Sequence, residues 1–161
     1  MRGWFWMNKA ALVQALRAQL ALQAQTMQRA ADKARDAATH EESRPENDKD
    51  TRALESSYLA GGQAAKAREL QAAQNALAFM VLRDFSPSDA IAASAVVRVL
   101  RAGQVSHYFL VAQGGGEKVT VDGVAVVVVT PASALGVALL GRRVGDVVSV
   151  GGREVEIDAI F

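Results

Sequence analysis

Apolar and small residues recur at three- and four-residue intervals through the first part of the chain. Val13, Leu16, Leu20, Ala24, Met27, Ala31, Ala34 and Ala38 form one such series. That spacing predicts a long amphipathic helix with a heptad-like seam. The far end of the seam is built of alanine, which lets a partner helix approach closely. A second series places Tyr58, Ala65, Ala72 and Phe79 at intervals of seven, flanked by Leu70, Ala73, Leu77 and Met80. It predicts a second helix whose seam runs through the aromatics. Gly61-Gly62 weakens that helix by roughly 1 kcal/mol per glycine and marks a bend or a close contact. With so much alanine, neither helix is stable alone, and antiparallel pairing buries both seams.

Between the two series lies Ser43-Arg44-Pro45-Glu46, which fits a capping box. Proline is tolerated in a first helical turn, so the second helix is expected to begin near Arg44. The two helices then measure roughly 45–57 Å each at about 1.5 Å per residue. The predicted object is a helical hairpin over residues 8–84 with its tip near 41–48. Residues 1–7 precede it as an extension. Trp4-Phe5-Trp6 there reads either as an aromatic anchor or as a frayed end, and is too short for a signal peptide.

The pattern changes near Asp84-Phe85-Ser86-Pro87-Ser88-Asp89, where helix formers give way to valine and glycine. Residues 85–161 are expected to form a small antiparallel β domain with one short helix. Ala95–Arg101 and Val105–Ala112 read as strands around a turn at Arg101-Ala102-Gly103-Gln104. Gly114-Gly115-Gly116 marks a further turn, and no Gly-Lys-Ser/Thr follows it to make a phosphate loop. Val124–Val129 is an unbroken apolar run, as in a strand covered on both faces. Thr130-Pro131-Ala132-Ser133 opens a short helix through Leu140, ended by Gly141. Val147–Val150 and Val155–Ile160 flank Gly151-Gly152, and in the last strand Val155, Ile157 and Ala159 alternate with Glu156 and Asp158.

Composition narrows the chemistry. Half of the 161 residues are apolar and 22% are charged, a globular balance. With 18 basic and 17 acidic side chains, the net charge of +1 gives no general basis for gripping phosphates. The chain has no cysteine, so disulfides, thiolate metal sites and cysteine nucleophiles are excluded. His40 and His107 lie far apart and belong to no ligand pattern. His107, in phase with Val105, Phe109 and Val111, reads as a core or edge histidine rather than a catalytic one. No apolar run approaches the ~18–20 residues that span a bilayer.

Acidity is concentrated at the tip. Residues 41–50 carry Glu41, Glu42, Glu46, Asp48 and Asp50 against Arg44 and Lys49, a net of −3, and the rest of the chain sums to +4. Two readings stand. A thin arm ending in carboxylates can present oxygens to a hard cation such as Mg²⁺ in a narrow cavity. Equally, acids at a helix start are favoured by its dipole, and exposed turns are polar.

The segment from Val128 to Val148, Val-Val-Thr-Pro-Ala-Ser-Ala-Leu-Gly-Val-Ala-Leu-Leu-Gly-Arg-Arg-Val-Gly-Asp-Val-Val, resembles the C-terminal signature of the Gre-type transcript cleavage factors, GreA and GreB. There a strand leads through Ser/Thr-Pro to a small helix ending in Ala-Leu-Leu-Gly-basic, followed by Gly-Asp. Val150–Ile157 resembles the family's closing hairpin, so the resemblance covers nearly the whole chain from about Met7. It implies an α+β fold: an antiparallel coiled coil followed by a domain of FKBP-like shape without prolyl isomerase activity. It implies a bacterial, cytoplasmic, monomeric partner of RNA polymerase that is not itself an enzyme. That domain would grip the rim of the polymerase's secondary channel, and the coiled coil would reach down it. Tip acids would help hold Mg²⁺ in the polymerase active site, where the polymerase cuts backtracked RNA. No cofactor of its own is implied, and no sequence-specific nucleic-acid contact or membrane.

Carried onto these residues, the resemblance assigns Thr130, Pro131, Ala132 and Ser133 to polymerase docking and Glu46, Glu42 and Asp48 to the metal. The tip departs from the family pattern of Gly-Asp, two residues, then Glu-Asn. Glu46-Asn47 matches the Glu-Asn, but Ser43 stands where the aspartate belongs and Glu42 where the glycine belongs. Related factors bind polymerase without stimulating cleavage, so a Gre-like regulator or inhibitor is one alternative. A structural adaptor, a self-associating alanine-rich coiled coil with a β domain that binds peptides, is another.

Overall fold

A computed structural model describes the backbone over residues 7–42 and 49–161, and side chains over 7–40 and 51–161. The aromatic stretch Trp4-Phe5-Trp6, the Ser43–Glu46 capping box and the tip acids Glu46 and Asp48 lie outside the described residues. So does the side chain of Glu42, the last residue of the first helix.

Two helices come first: α1, Lys9–Glu42, of 34 residues, and α2, Lys49–Ala78, of 30. Asn8 caps α1, its side-chain oxygen accepting from the Ala11 amide at 3.0 Å. The sheet follows, with strands β1 (Val96–Arg101), β2 (Gln104–Leu110), β3 (Lys118–Val121) and β4 (Val124–Val129). Helix α3 (Ala134–Leu139) precedes β5 (Val147–Val150) and β6 (Arg153–Ile160).

Packing divides the chain into two compact units. One is Ala18–Asn75; the other joins the described residues up to Arg17 with Ala76–Phe161. The expected boundary near residue 84 therefore falls inside the second unit. The reason is local bonding. Lys9 Nζ donates to the Arg83 carbonyl at 2.6 Å, and the Arg83 amide donates to Ser94 Oγ at 2.9 Å. These bonds tie the start of α1 and the stretch after α2 to the sheet.

Within the Ala18–Asn75 unit the two helices lie side by side, lining one open groove with Ala21, Ala24 and Gln28 from α1 and Ala67, Gln71 and Gln74 from α2. Six residues connect them. At about 3.5 Å each, that link reaches roughly 25 Å, too short to run back along a 30-residue helix of about 45 Å, so they are antiparallel. Leu20, Ala31, Ala34 and Ala38 of α1 are buried, as the first series requires; Ala24 and Met27 are half-buried. Nearer the sheet, Leu12 and Leu16 are fully buried while Val13 is only half-buried.

The second series is corrected. Tyr58 is 75% exposed, Phe79 is 87% exposed, and Ala65 and Ala72 face solvent. The buried seam of α2 is Ala53, Ala60, Ala67, Leu70, Ala73 and Leu77. The buried face of α2 is thus the one offset from the aromatic series, and it carries alanine and leucine as the buried face of α1 does. The glycine pair is corrected as well. α2 is unbroken through Gly61 and Gly62, and an added Cβ at either meets nothing within 4 Å.

The six strands form one sheet in the order β3-β4-β2-β1-β6-β5. Every pairing is antiparallel except β2 with β4, which run parallel. Edge strand β3 has no counterpart among the expected strands, because four residues that alternate Lys, Val, Thr, Val carry too short a pattern to register. Its partner β4 is covered as its apolar run predicts, with Val126, Val128 and Val129 buried. Between β1 and β6 the register slips by one residue at Arg98/Val99, leaving Asp158 unpaired in the ladder, and its carboxylate meets the Arg98 guanidinium. One core runs beneath the sheet through Ile91, Val97, Val99, Leu110, Val129, Leu139, Val148, Ile157 and Ile160.

Candidate functional site

The segment from Thr130 to Asp146 leaves β4, makes α3 and returns to β5. Its local chemistry explains most of its sequence. Ser133 is the N-cap of α3, with an extended backbone (φ −71°, ψ 156°), and its hydroxyl accepts from the Gly136 amide at 3.0 Å. The same hydroxyl donates to the Thr130 carbonyl at 2.8 Å, and the Ser133 amide bonds that carbonyl at 3.1 Å. A Cβ on Gly136 would sit 1.9 Å from the Thr130 carbonyl oxygen. Glycine is thus required where the first turn of α3 crosses the end of β4. Gly115 closes on Thr130 from the other loop, where an added Cβ would lie 2.7 Å from the threonine methyl.

The far end of α3 is fastened equally tightly. Gly141, at φ +78°, donates to the Ile91 carbonyl at 2.8 Å, and the Ile91 amide returns a bond of 2.8 Å to the Arg142 carbonyl. Asp146 accepts from the Arg143 amide at 2.9 Å, and its own carbonyl takes the Ile157 amide at 2.9 Å. The Arg143 guanidinium donates to the Ser88 carbonyl. The segment is a braced platform.

The platform sorts its residues by role. Thr130 and Ser133, two of the four expected docking positions, are half-buried, and the Ser133 hydroxyl is committed to the cap. Pro131 and Ala132 are exposed beside them. Sequence reasoning missed three further surface residues. Val137 is 67% exposed on α3, and Leu140 and Val147 are exposed at the end of α3 and the start of β5, two elements in contact. The missed signal is an apolar residue on the outer face of a short capped helix, where burial of Leu139 already satisfies the core. Val137 and Leu140, three residues apart, share the outer face of α3, with Arg142 exposed just beyond it, whereas Val147 alternates with the buried Val148 and lies on the other face of the sheet.

His107 is half-buried, opposite Arg98 on β1 and Val126 on β4. Burial first, and the Arg98 charge second, hold its pKa below the usual imidazole value. It is a sheet histidine, as its phase implies. Among the described residues no group of three histidine, aspartate or glutamate side chains is placed to hold a metal ion. Glu46, Glu42 and Asp48, the expected metal-facing acids, are not among the side chains described. No helix among the described residues is long and apolar enough to cross a membrane.

No protein-family model and no curated protein matches the chain. Solved structures do. GreA factor homolog 1 (Gfh1) of Thermus thermophilus is 22% identical, over 91% of this chain and 95% of that one, at a TM-score of 0.39. A structure of the transcription factor Gfh1 is 22% identical over 91% and 93%, also at 0.39. Thermus aquaticus Gfh1 is 24% identical over 90% of each chain, at 0.37. At such identities and TM-scores the likeness carries no weight for function.

Proposed function

We propose that this chain is a Gre-like accessory factor of bacterial RNA polymerase, acting through the secondary channel and not itself an enzyme. One observation carries the reading. The stretch whose sequence resembles the Gre signature is a rigid, capped platform that presents Pro131, Ala132, Val137 and Leu140 to solvent. A core residue pattern alone would not leave that much apolar surface on a braced segment. The platform docks on polymerase, and the paired helices α1 and α2 enter the channel. Glu46, Glu42 and Asp48 then lie toward the catalytic Mg²⁺, which belongs to the polymerase.

The tip favours a second outcome within this reading. Ser43 occupies the place of the family's aspartate, and Glu42 holds the longer acid one residue early. A misplaced acid that blocks the active site inhibits; one that reaches the metal stimulates cleavage. Association is tested first, by native gel with core polymerase, and no complex at micromolar concentrations overturns the proposal. Stalled, backtracked complexes then separate the outcomes. Shortened transcripts show cleavage, and slowed synthesis at unchanged length shows inhibition. Glu46→Ala is expected to abolish the shortening if cleavage is seen. If shortening persists, Glu46 does not face the metal.

A further inference from the structure

The heptad series that α2 leaves outside, Tyr58, Ala65 and Ala72, is accompanied at the intervening positions by Leu54, Gly61 and Arg68, and all six residues are exposed. Spacings of three and four thus run along one outer face of α2, away from its buried seam. Two large apolar side chains stand on that face, Leu54 at 56% exposed and Tyr58 at 75%. The next turn is glycine. Gly61 and Gly62 lower helix stability, yet an added Cβ at either meets nothing within 4 Å, so no contact of the single chain uses them. Glycine inside a helix suits a site where another backbone approaches closely. The face therefore carries a projection, Tyr58, beside a hollow at Gly61, Gly62 and Ala65, a shape that fits its own copy.

Charge points the same way. Glu55 and Lys66 are both exposed, and at about 100° per residue they lie within about 20° of each other along one border of the face. Their midpoint falls beside Gly61. Among the described residues Glu55 has no ion partner, and Lys66 meets Glu69, three positions along, at 3.4 Å. We propose that this face of α2 pairs with the same face of a second copy, antiparallel and crossing at Gly61-Gly62. A two-fold axis across the helices sets each border against itself, so Glu55 of each copy meets Lys66 of the other. Tyr58 of each copy then lies in the hollow at Gly62 and Ala65 of the other. Rows of residues four apart, Tyr58–Gly62 and Gly61–Ala65, interdigitate as in the commonest class of helix crossing. One such crossing is smaller than the about 1,600 Å² of a standard stable interface, so the pair is reversible and depends on concentration. The pairing needs no polymerase, and its failure leaves the polymerase reading untouched.

Sedimentation equilibrium of the full chain reads the pairing. The average mass is expected to rise from 17.0 kDa toward twice that value across the micromolar to millimolar range. Gly61→Leu fills the hollow with a side chain whose Cβ has open space in the single chain. It is expected to raise the melting temperature of the dilute monomer and to weaken pairing about tenfold or more. Glu55→Lys or Lys66→Glu alone sets like charges face to face and is expected to weaken pairing several-fold, and the two together are expected to restore it. Three results overturn the proposal. The chain can stay at 17.0 kDa throughout the range. Pairing can survive Gly61→Leu. Or the double charge exchange can pair no better than either single one.

Discussion

Gly136 and Lys9 each take their role from one close contact. At Gly136 a methyl group would fall 1.9 Å from a backbone oxygen, and backbone at the end of a central strand does not give way. Gly136→Ala is expected to destabilise the protein by about 3 kcal/mol or more, read as a lower denaturation midpoint at constant m-value. Lys9 is buried against the Phe85 ring, with Arg83 and Asp84 as its charged neighbours. Burial outweighs the attraction of Asp84, and Arg83 adds repulsion, so the ammonium pKa falls to about 8 from 10.5. Between those two values the unfolded chain holds more protons than the folded one, so stability rises with pH across that window. Lys9→Met removes this term. The stability of the native chain relative to Lys9→Met is expected to climb from pH 8 to pH 10.5 by on the order of 2 kcal/mol, measured by denaturant melts. The sequence named Ser133 and Gly141 because caps and stops are local. It gave no hint of Lys9, whose environment comes from residues more than seventy positions away.

Helix α2 carries two heptad series, Ala53–Ala60–Ala67 and Tyr58–Ala65–Ala72–Phe79, roughly 140° apart around the axis at about 100° per residue. Periodicity alone assigns both to a seam, and residue size points to the aromatic one. The inner face is instead Ala53, Ala60, Ala67 and Ala73 with Leu70 and Leu77, and the buried stripe of α1 likewise combines Leu12, Leu16 and Leu20 with Ala31, Ala34 and Ala38. Gly61 and Gly62 lie in this element with open space around them and ordinary helical backbone. They weaken α2 without serving a turn. Gly61→Ala with Gly62→Ala is expected to stabilise the hairpin by about 1–2 kcal/mol, seen as a higher melting temperature. The strands behaved differently. Val124–Val129 and Val155–Ile160 read correctly from their patterns, whereas β3 is defined mainly by the neighbour that it pairs.

For the molecule as a whole, the proposed docking platform predicts a separation of stability from binding. Val137→Asp places a charge on the exposed face of α3, so its melting temperature is expected to stay close to that of the native chain. Its affinity for core polymerase is expected to fall about tenfold or more, since burying an unpaired carboxylate in an apolar contact is costly. Unchanged affinity in a titration would move the docking surface elsewhere. By itself the sequence determined the helical hairpin, the change to β structure, the capped short helix and the exclusion of thiol chemistry. These follow from propensity, spacing and composition, which act over a few residues. Tertiary structure decided which face of α2 is buried, that β2 and β4 run parallel, that Thr130 and Ser133 brace the platform while Pro131 and Val137 face outward, and that Lys9 sits among Arg83, Asp84 and Phe85. Each of those depends on which distant segment arrives to exclude water, and no local pattern of residues encodes that arrival.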